Sequence, residues 1–209
     1  MNIKLQIPFV KNPGWECGQT CSAMMIKYFY PNRDMRIEEF DKIIHHKGGE
    51  KYTFPLQNAI LLEEYGVKSK CYSYDDYKTT KEEPNIFEKW FGEDFEREAI
   101  FIDEKEYNCM VEEGRKRNLF QMRNTSLDDM VDMLSQGHLV AFACDWNTLV
   151  GRTGPYQGHF LLLSGAIDDT LLVHNPDEGP HIAYPRAQIE AAYKHHVIAD
   201  DCWVGLGKK

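Results

Sequence analysis

Apolar residues recur along this chain with two different periods, and the change falls near Gly137. Before it, Cys21, Met24, Met25, Tyr28 and Phe29 repeat at i, i+3, i+4, i+7 and i+8, the spacing of one buried helical face. With the Pro13-Gly14 turn just ahead, the spacing predicts a helix over about Glu16–Tyr30. Helices are also predicted at Ile37–His45 and at Phe54–Tyr65, where Gly66 follows as a C-cap. Shorter ones are predicted around Asn85–Trp90 and Glu106–Arg117. Leu5–Val10 and Val67–Tyr74 read as extended. Ser126–Gln136 reads as a helix with Ser126 as N-cap and Asp128 and Asp129 in its first turn. Beyond Gly137 the runs are short and bounded by Gly, Pro, Asp and Asn, which predicts strands at His138–Cys144, Gly158–Ala166, Thr170–Asn175 and Pro180–Tyr184. A helix at Arg186–His195 and a strand at Asp201–Leu206 complete the order. The pattern is α+β: a helical N-terminal part packed on an antiparallel β-sheet, with a cleft between the two.

Length and composition narrow this further. A chain of 209 residues, 43% hydrophobic and 27% charged, is expected to form one domain over 1–209 and to bury a core without staples. Disordered and fibrous classes are excluded. No apolar run reaches the roughly 18–20 residues of a membrane span, and MNIKLQIPFV lacks the make-up of a secretory signal. The expectation is a cytoplasmic chain with no membrane partner. A net charge of −9 argues against nucleic acid, which needs a basic surface. From Asp75 to Lys116 there are 14 acidic and 7 basic residues, so this stretch carries most of the imbalance. It reads as an acidic insertion at about 75–118, either a solvated face or a surface that steers a basic peptide toward a nearby site. The six cysteines include no Cys-x-x-Cys pair and are too sparse for a disulfide scaffold, so reduced thiols are expected.

One of those thiols sits where chemistry favours it. In Trp15-Glu16-Cys17-Gly18, Cys17 opens a helix whose unpaired N–H groups and dipole stabilise a thiolate. Its own N–H is placed to hold an oxyanion, and Gly18 permits close backbone approach. In Gln157-Gly158-His159-Phe160-Leu161, a histidine opens an apolar strand after glycine. Sixteen residues on, Asn175-Pro176 ends the next strand, and antiparallel pairing brings Asn175 beside His159. A catalytic base needs such a partner to fix its tautomer. Trp15 and Gly158 are expected to line the cleft, and the loop 151–158 to wall it. The pairs His45-His46 and His195-His196 lack further ligands at site spacing and are expected on the surface; no metal site is expected.

These segments resemble the bacteriocin-leader (double-glycine) peptidase family and its broader papain-like relatives. The likeness lies in Ile7-Pro8, Glu16-Cys17-Gly18, Met24 and Tyr28, and in Gly158-His159-Phe160, Gly165, Asp168 and Val173-His174-Asn175-Pro176. It covers about residues 5–75 and 120–206. It implies a papain-like cysteine proteinase fold, no cofactor, a peptide or protein substrate, and Cys17, His159 and Asn175 as nucleophile, base and orienting residue. Two positions depart from the family's pattern. Asn175 stands where Asp is usual, with Asp177 as a second candidate. The oxyanion glutamine expected about six residues before the nucleophile is missing, and Asn12 is the preferred substitute ahead of Gln6 and Gln19. The implied activity is that of a cysteine peptidase or amide hydrolase. The alternatives are a papain-like acyltransferase with an amine acceptor and an inactive peptide-binding pseudopeptidase.

Overall fold

The strand Leu139–Asp145 (β4) is buried along its whole length, as a continuous apolar run requires when both faces of a sheet are covered. In the computed structural model, which describes residues 2–44, 46, 51–194 and 202–209, β4 sits near the middle of a sheet that organises everything else. The other strands are Asn2–Lys4 (β1), Val67–Ser73 (β2), Phe120–Met122 (β3), Gly158–Ile167 (β5), Thr170–Asn175 (β6), Gly179–Pro185 (β7) and Cys202–Lys208 (β8). Their order is β3-β2-β8-β4-β5-β6-β7, with β1 paired to the far end of β5. All pairings are antiparallel except β2 with β3. The expected antiparallel sheet therefore gains one parallel edge pair, and β2 joins it from the helical part of the chain.

Helices cover both faces. Leu139, Ala141, Leu162 and Trp203 pack into one cluster with the helices Cys17–Phe29 (α1), Ile37–Ile43 (α2) and Pro55–Glu64 (α3). Val140, Phe142, Cys144 and Val204, alternating with them, pack into a second cluster with Leu127–Ser135 (α7) and Arg186–Lys194 (α9). Ser126 caps α7 in a reciprocal pair with Asp129, accepting from its N–H at 3.1 Å.

The acidic stretch is more than a solvated face. It folds as Ile86–Phe91 (α4), Phe95–Glu98 (α5) and Glu104–Lys116 (α6), joined by 3-10 turns at 92–94 and 99–101. Tyr77, Ile86, Trp90, Tyr107 and Val111 are buried in the first cluster, where Tyr107 sits edge-on to Phe54, Phe87 and Trp90. Most of its charges point outward, though Glu98 and Glu106 are buried, while most of the apolar residues between them join the core. The short helix Trp146–Leu149 (α8) and strands β1 and β3 were not among the predicted elements; each has four residues or fewer, too short to show a period. The segment Leu5–Val10, read as extended, joins no strand ladder and is anchored by the Leu5 N–H to the Ser164 carbonyl at 2.9 Å.

Candidate active site

Cys17 is the first residue of α1, so its N–H belongs to the group that has no acceptor within the helix. The helix is pressed against β5 at Gly18. A Cβ there would lie 2.8 Å from Asn58 Nδ2 and 3.1 Å from the Phe160 ring, so glycine is what allows the approach. That approach brings Cys17 to His159, the second residue of β5, with the thiol in hydrogen-bonding reach of the imidazole.

The other side of the ring is held by Asn175. His159 Nε2 lies 2.9 Å from Asn175 Oδ1, a diagonal contact of the antiparallel β5–β6 pair in which Asn175 is one residue, and His159 three residues, past the Leu162–His174 match. The amide cannot be turned round. Its Oδ1 also accepts from the Asp177 N–H at 3.1 Å, and its Nδ2 donates to Glu178 Oε2 at 3.2 Å. Asn175 therefore presents an acceptor, His159 carries its proton on Nε2, and Nδ1 is left for the thiol. Trp146 packs on this ring at 5.0 Å between centroids. Burial pulls the His159 pKa down, but the hydrogen bond and charge of Cys17, the Asn175 bond and the charge of Asp177 outweigh it. The imidazole stands above its ordinary value, which favours its protonated form.

Asn12 has a different position from the one expected of an oxyanion donor. Its Nδ2 donates to Asp177 Oδ1 and to the Gly14 carbonyl, both at 2.7 Å, which uses both amide hydrogens. With the Asn12 N–H bonded to the Pro176 carbonyl at 2.9 Å, it ties the approach to the nucleophile onto the turn after Asn175. Asp177 Oδ2 is thereby held 3.9 Å from His159 Nδ1. Gln6 is exposed, and Gln19, although it lines the cavity, donates its amide to Asp41 at 3.0 Å.

A cavity of about 490 Å³ opens beside Cys17 and His159, and Trp15 and Gly158 line it as expected. The loop 151–158 contributes Pro155, Tyr156 and Gln157. Asp145 pins that loop by accepting from the N–H groups of Asn147 and Gln157, at 3.2 and 3.0 Å. Lys51–Pro55 and Arg97–Phe101 close the opposite side, and no sequence signal pointed to them, because they meet the site only through the fold. Trp146 was legible in principle: β4 pairs Cys144 with His159, which places the next residues at the ring. His46, expected at the surface, is buried, with Nδ1 3.4 Å from Asp41 and Nε2 3.1 Å from the Lys51 carbonyl. His45, His195 and His196 lie outside the described residues. All six cysteines are free; Cys17 is half-buried, Cys109 is exposed and the others are buried.

Residues 8–203 match the family described as guanylylate cyclase. The chain belongs to that family. Among solved structures, it is similar over its full length to a putative C39-like peptidase from Bacillus anthracis, with a TM-score of 0.57 at 12% identity and the whole of that chain covered. It is also similar to a double glycine motif protease from an AMS/PCAT transporter in complex with the leader peptide. There the TM-score is 0.50 and the identity 12%, with 96% of this chain and 91% of that one covered. At such identity the likeness is one of fold, and the fold is that of the papain-like, C39-like peptidases. No helix among the described residues is long and apolar enough to cross a membrane.

Proposed function

We propose that this protein is a cysteine peptidase or amide hydrolase working through Cys17, His159 and Asn175. The observation that carries the reading is the orientation of His159: Nε2 is held at 2.9 Å by an amide oxygen, which can only accept, and this leaves Nδ1 for Cys17 across the same cavity. Cys17 thiolate attacks the scissile carbonyl carbon, and the carbonyl oxygen takes up the charge near the Cys17 N–H at the start of α1. His159 gives its proton to the leaving amine as the thioester forms. It then takes a proton from water, which attacks the thioester and regenerates the thiol. Asn175 keeps the ring in register through both steps. The similar structure in complex with a leader peptide supports a peptide as substrate. The family's description names a cyclase, but the constellation in this cleft favours thiol chemistry. An acyltransferase would use the same three residues and would differ only in an amine replacing water.

Alkylation by iodoacetamide at about pH 6, mapped to each cysteine, tests this directly. An ordinary thiol with a pKa near 8.5 is almost wholly protonated there. Cys17 is expected to react at least tenfold faster than Cys109, the exposed reference. His159→Ala is expected to abolish the difference and to lower peptide turnover by roughly 10²–10⁴-fold. Equal rates at Cys17 and Cys109 in the parent protein refute the reading.

A further inference from the structure

The cavity beside Cys17 is walled by a piece of the acidic stretch that presents apolar groups to it. Tyr52, Phe54, Ile100, Phe101, Tyr156 and Phe160 all line it. Trp15 and Ile100 stand at its mouth with 69% and 64% of their surface exposed, two of the five large apolar side chains most exposed among the described residues. Large apolar groups left in water around a pocket mark a surface that something covers.

The charged residues of this wall are occupied with one another. Glu98, only 2% exposed, accepts from the Tyr52 hydroxyl and from Arg97 Nε at 2.6 Å. Arg97 also bridges to Asp94 at 2.8 Å. Lys51 donates to the Ile100 carbonyl, and the Tyr52 N–H to the Phe101 carbonyl at 2.8 Å. Tyr52 is further held between Phe91 and Phe101, with ring centroids at 6.1 and 5.6 Å. The two wall segments are thus bonded to each other before any ligand arrives, and that preorganisation favours tight, selective binding.

We propose that this wall selects a peptide substrate carrying a large apolar side chain, aromatic or long aliphatic, within two residues of the scissile bond. Tyr52, Ile100 and Phe101 are the specificity-determining residues. The inference rests on the thiol-peptidase reading above and names its substrate class. The volume, about 490 Å³, is that of a pocket for a sizeable group, and a glycine would leave its apolar lining without contacts. A basic or acidic side chain fares worse: to gain a counter-charge in the wall it must break the Glu98–Arg97 or Glu98–Tyr52 contact, leaving a buried charge without its partner.

The test is cleavage of a randomised peptide mixture by the full chain, with the residues around each cut read by mass spectrometry and a Cys17→Ala control. Phe, Tyr, Trp, Leu or Met is expected to be enriched about tenfold or more, over Gly and over charged residues, at one position within two residues of the cut. Ile100→Asp is expected to lower that enrichment at least threefold. Its exposed side chain lets the variant keep the parent's melting temperature. Phe101→Ala is expected to lower it further. Cleavage that favours Gly or charged residues, or shows no preference, overturns the proposal. So does an absence of cleavage by a protein whose Cys17 shows fast, His159-dependent alkylation. Slow alkylation of Cys17 overturns the peptidase reading and this one with it.

Discussion

Asp177 holds a carboxylate oxygen 3.9 Å from His159 Nδ1 without touching the nitrogen that Asn175 holds. Orientation and charge around the base are therefore divided between two residues: the neutral amide fixes the ring, and the carboxylate favours its protonated form. Asp177→Asn removes the charge and lowers the His159 pKa. In the proposed mechanism, where the leaving group takes its proton from imidazolium, the alkaline limb of the kcat/KM profile is expected to move to lower pH, with the acidic limb moving less. Asn12 gives a second prediction at this scale. Loss of an oxyanion donor costs roughly 10²–10³-fold in kcat. Loss of a hydrogen bond that positions a partner costs about tenfold or less. Asn12→Ala is expected to fall in the second range and to shift the pH profile in the same direction as Asp177→Asn, since Asn12 holds that carboxylate. The sequence predicted that Asn175 lies beside His159, and the two are 2.9 Å apart. It did not show that Asn12 is engaged by Asp177, because that pair spans 165 positions and exists only once both loops are in place.

Strands β6 and β7 carry a histidine pair, His174 buried and His181 half-buried, that fastens the irregular N-terminal segment. His174 Nδ1 accepts from the His181 N–H at 3.0 Å, so Nε2 bears the proton and donates to the Ile7 carbonyl at 2.9 Å. The rings lie 4.5 Å apart, and His181 also bonds Ser164 at 3.0 Å. Burial lowers the pKa of both histidines, with Lys4 adding to it and, for His174, the neighbouring His181; the Ile7 bond opposes the fall only for His174. A histidine whose folded pKa is depressed binds its proton first in the unfolded chain. The stability contributed by this pair is therefore expected to fall as pH drops below about 6.5, and to level off below the folded value. His174→Gln, whose amide offers one donor and one acceptor, is expected to flatten this slope in denaturant titrations between pH 7 and 5. Here again the elements were legible, since β6 is a short apolar run, β7 alternates, and they end at Asn and Pro. The tie to Ile7 was not, because that segment has no period to betray its partner.

For the whole molecule, the acidic stretch decides how the cleft is closed. Its charges suggested an insertion with a solvated face. The aromatic residues set among them, Tyr77, Trp90 and Tyr107, are part of the same core cluster as α1 and α3. Trp90→Ala is expected to cost about 3–5 kcal/mol in chemical denaturation, whereas replacing an exposed acid such as Glu112 changes stability by roughly 0.5 kcal/mol or less. The sequence by itself determined the helix that carries Cys17, the strands that carry His159 and Asn175, and the α+β class, because hydrophobic periodicity is a local property written in consecutive residues. Only the tertiary structure decided the second helical layer on the sheet, the partners of Asn12 and Asp177, and the apolar wall of Tyr52, Ile100 and Phe101. Those depend on contacts between segments far apart in the chain, which form only when the core has brought the segments together.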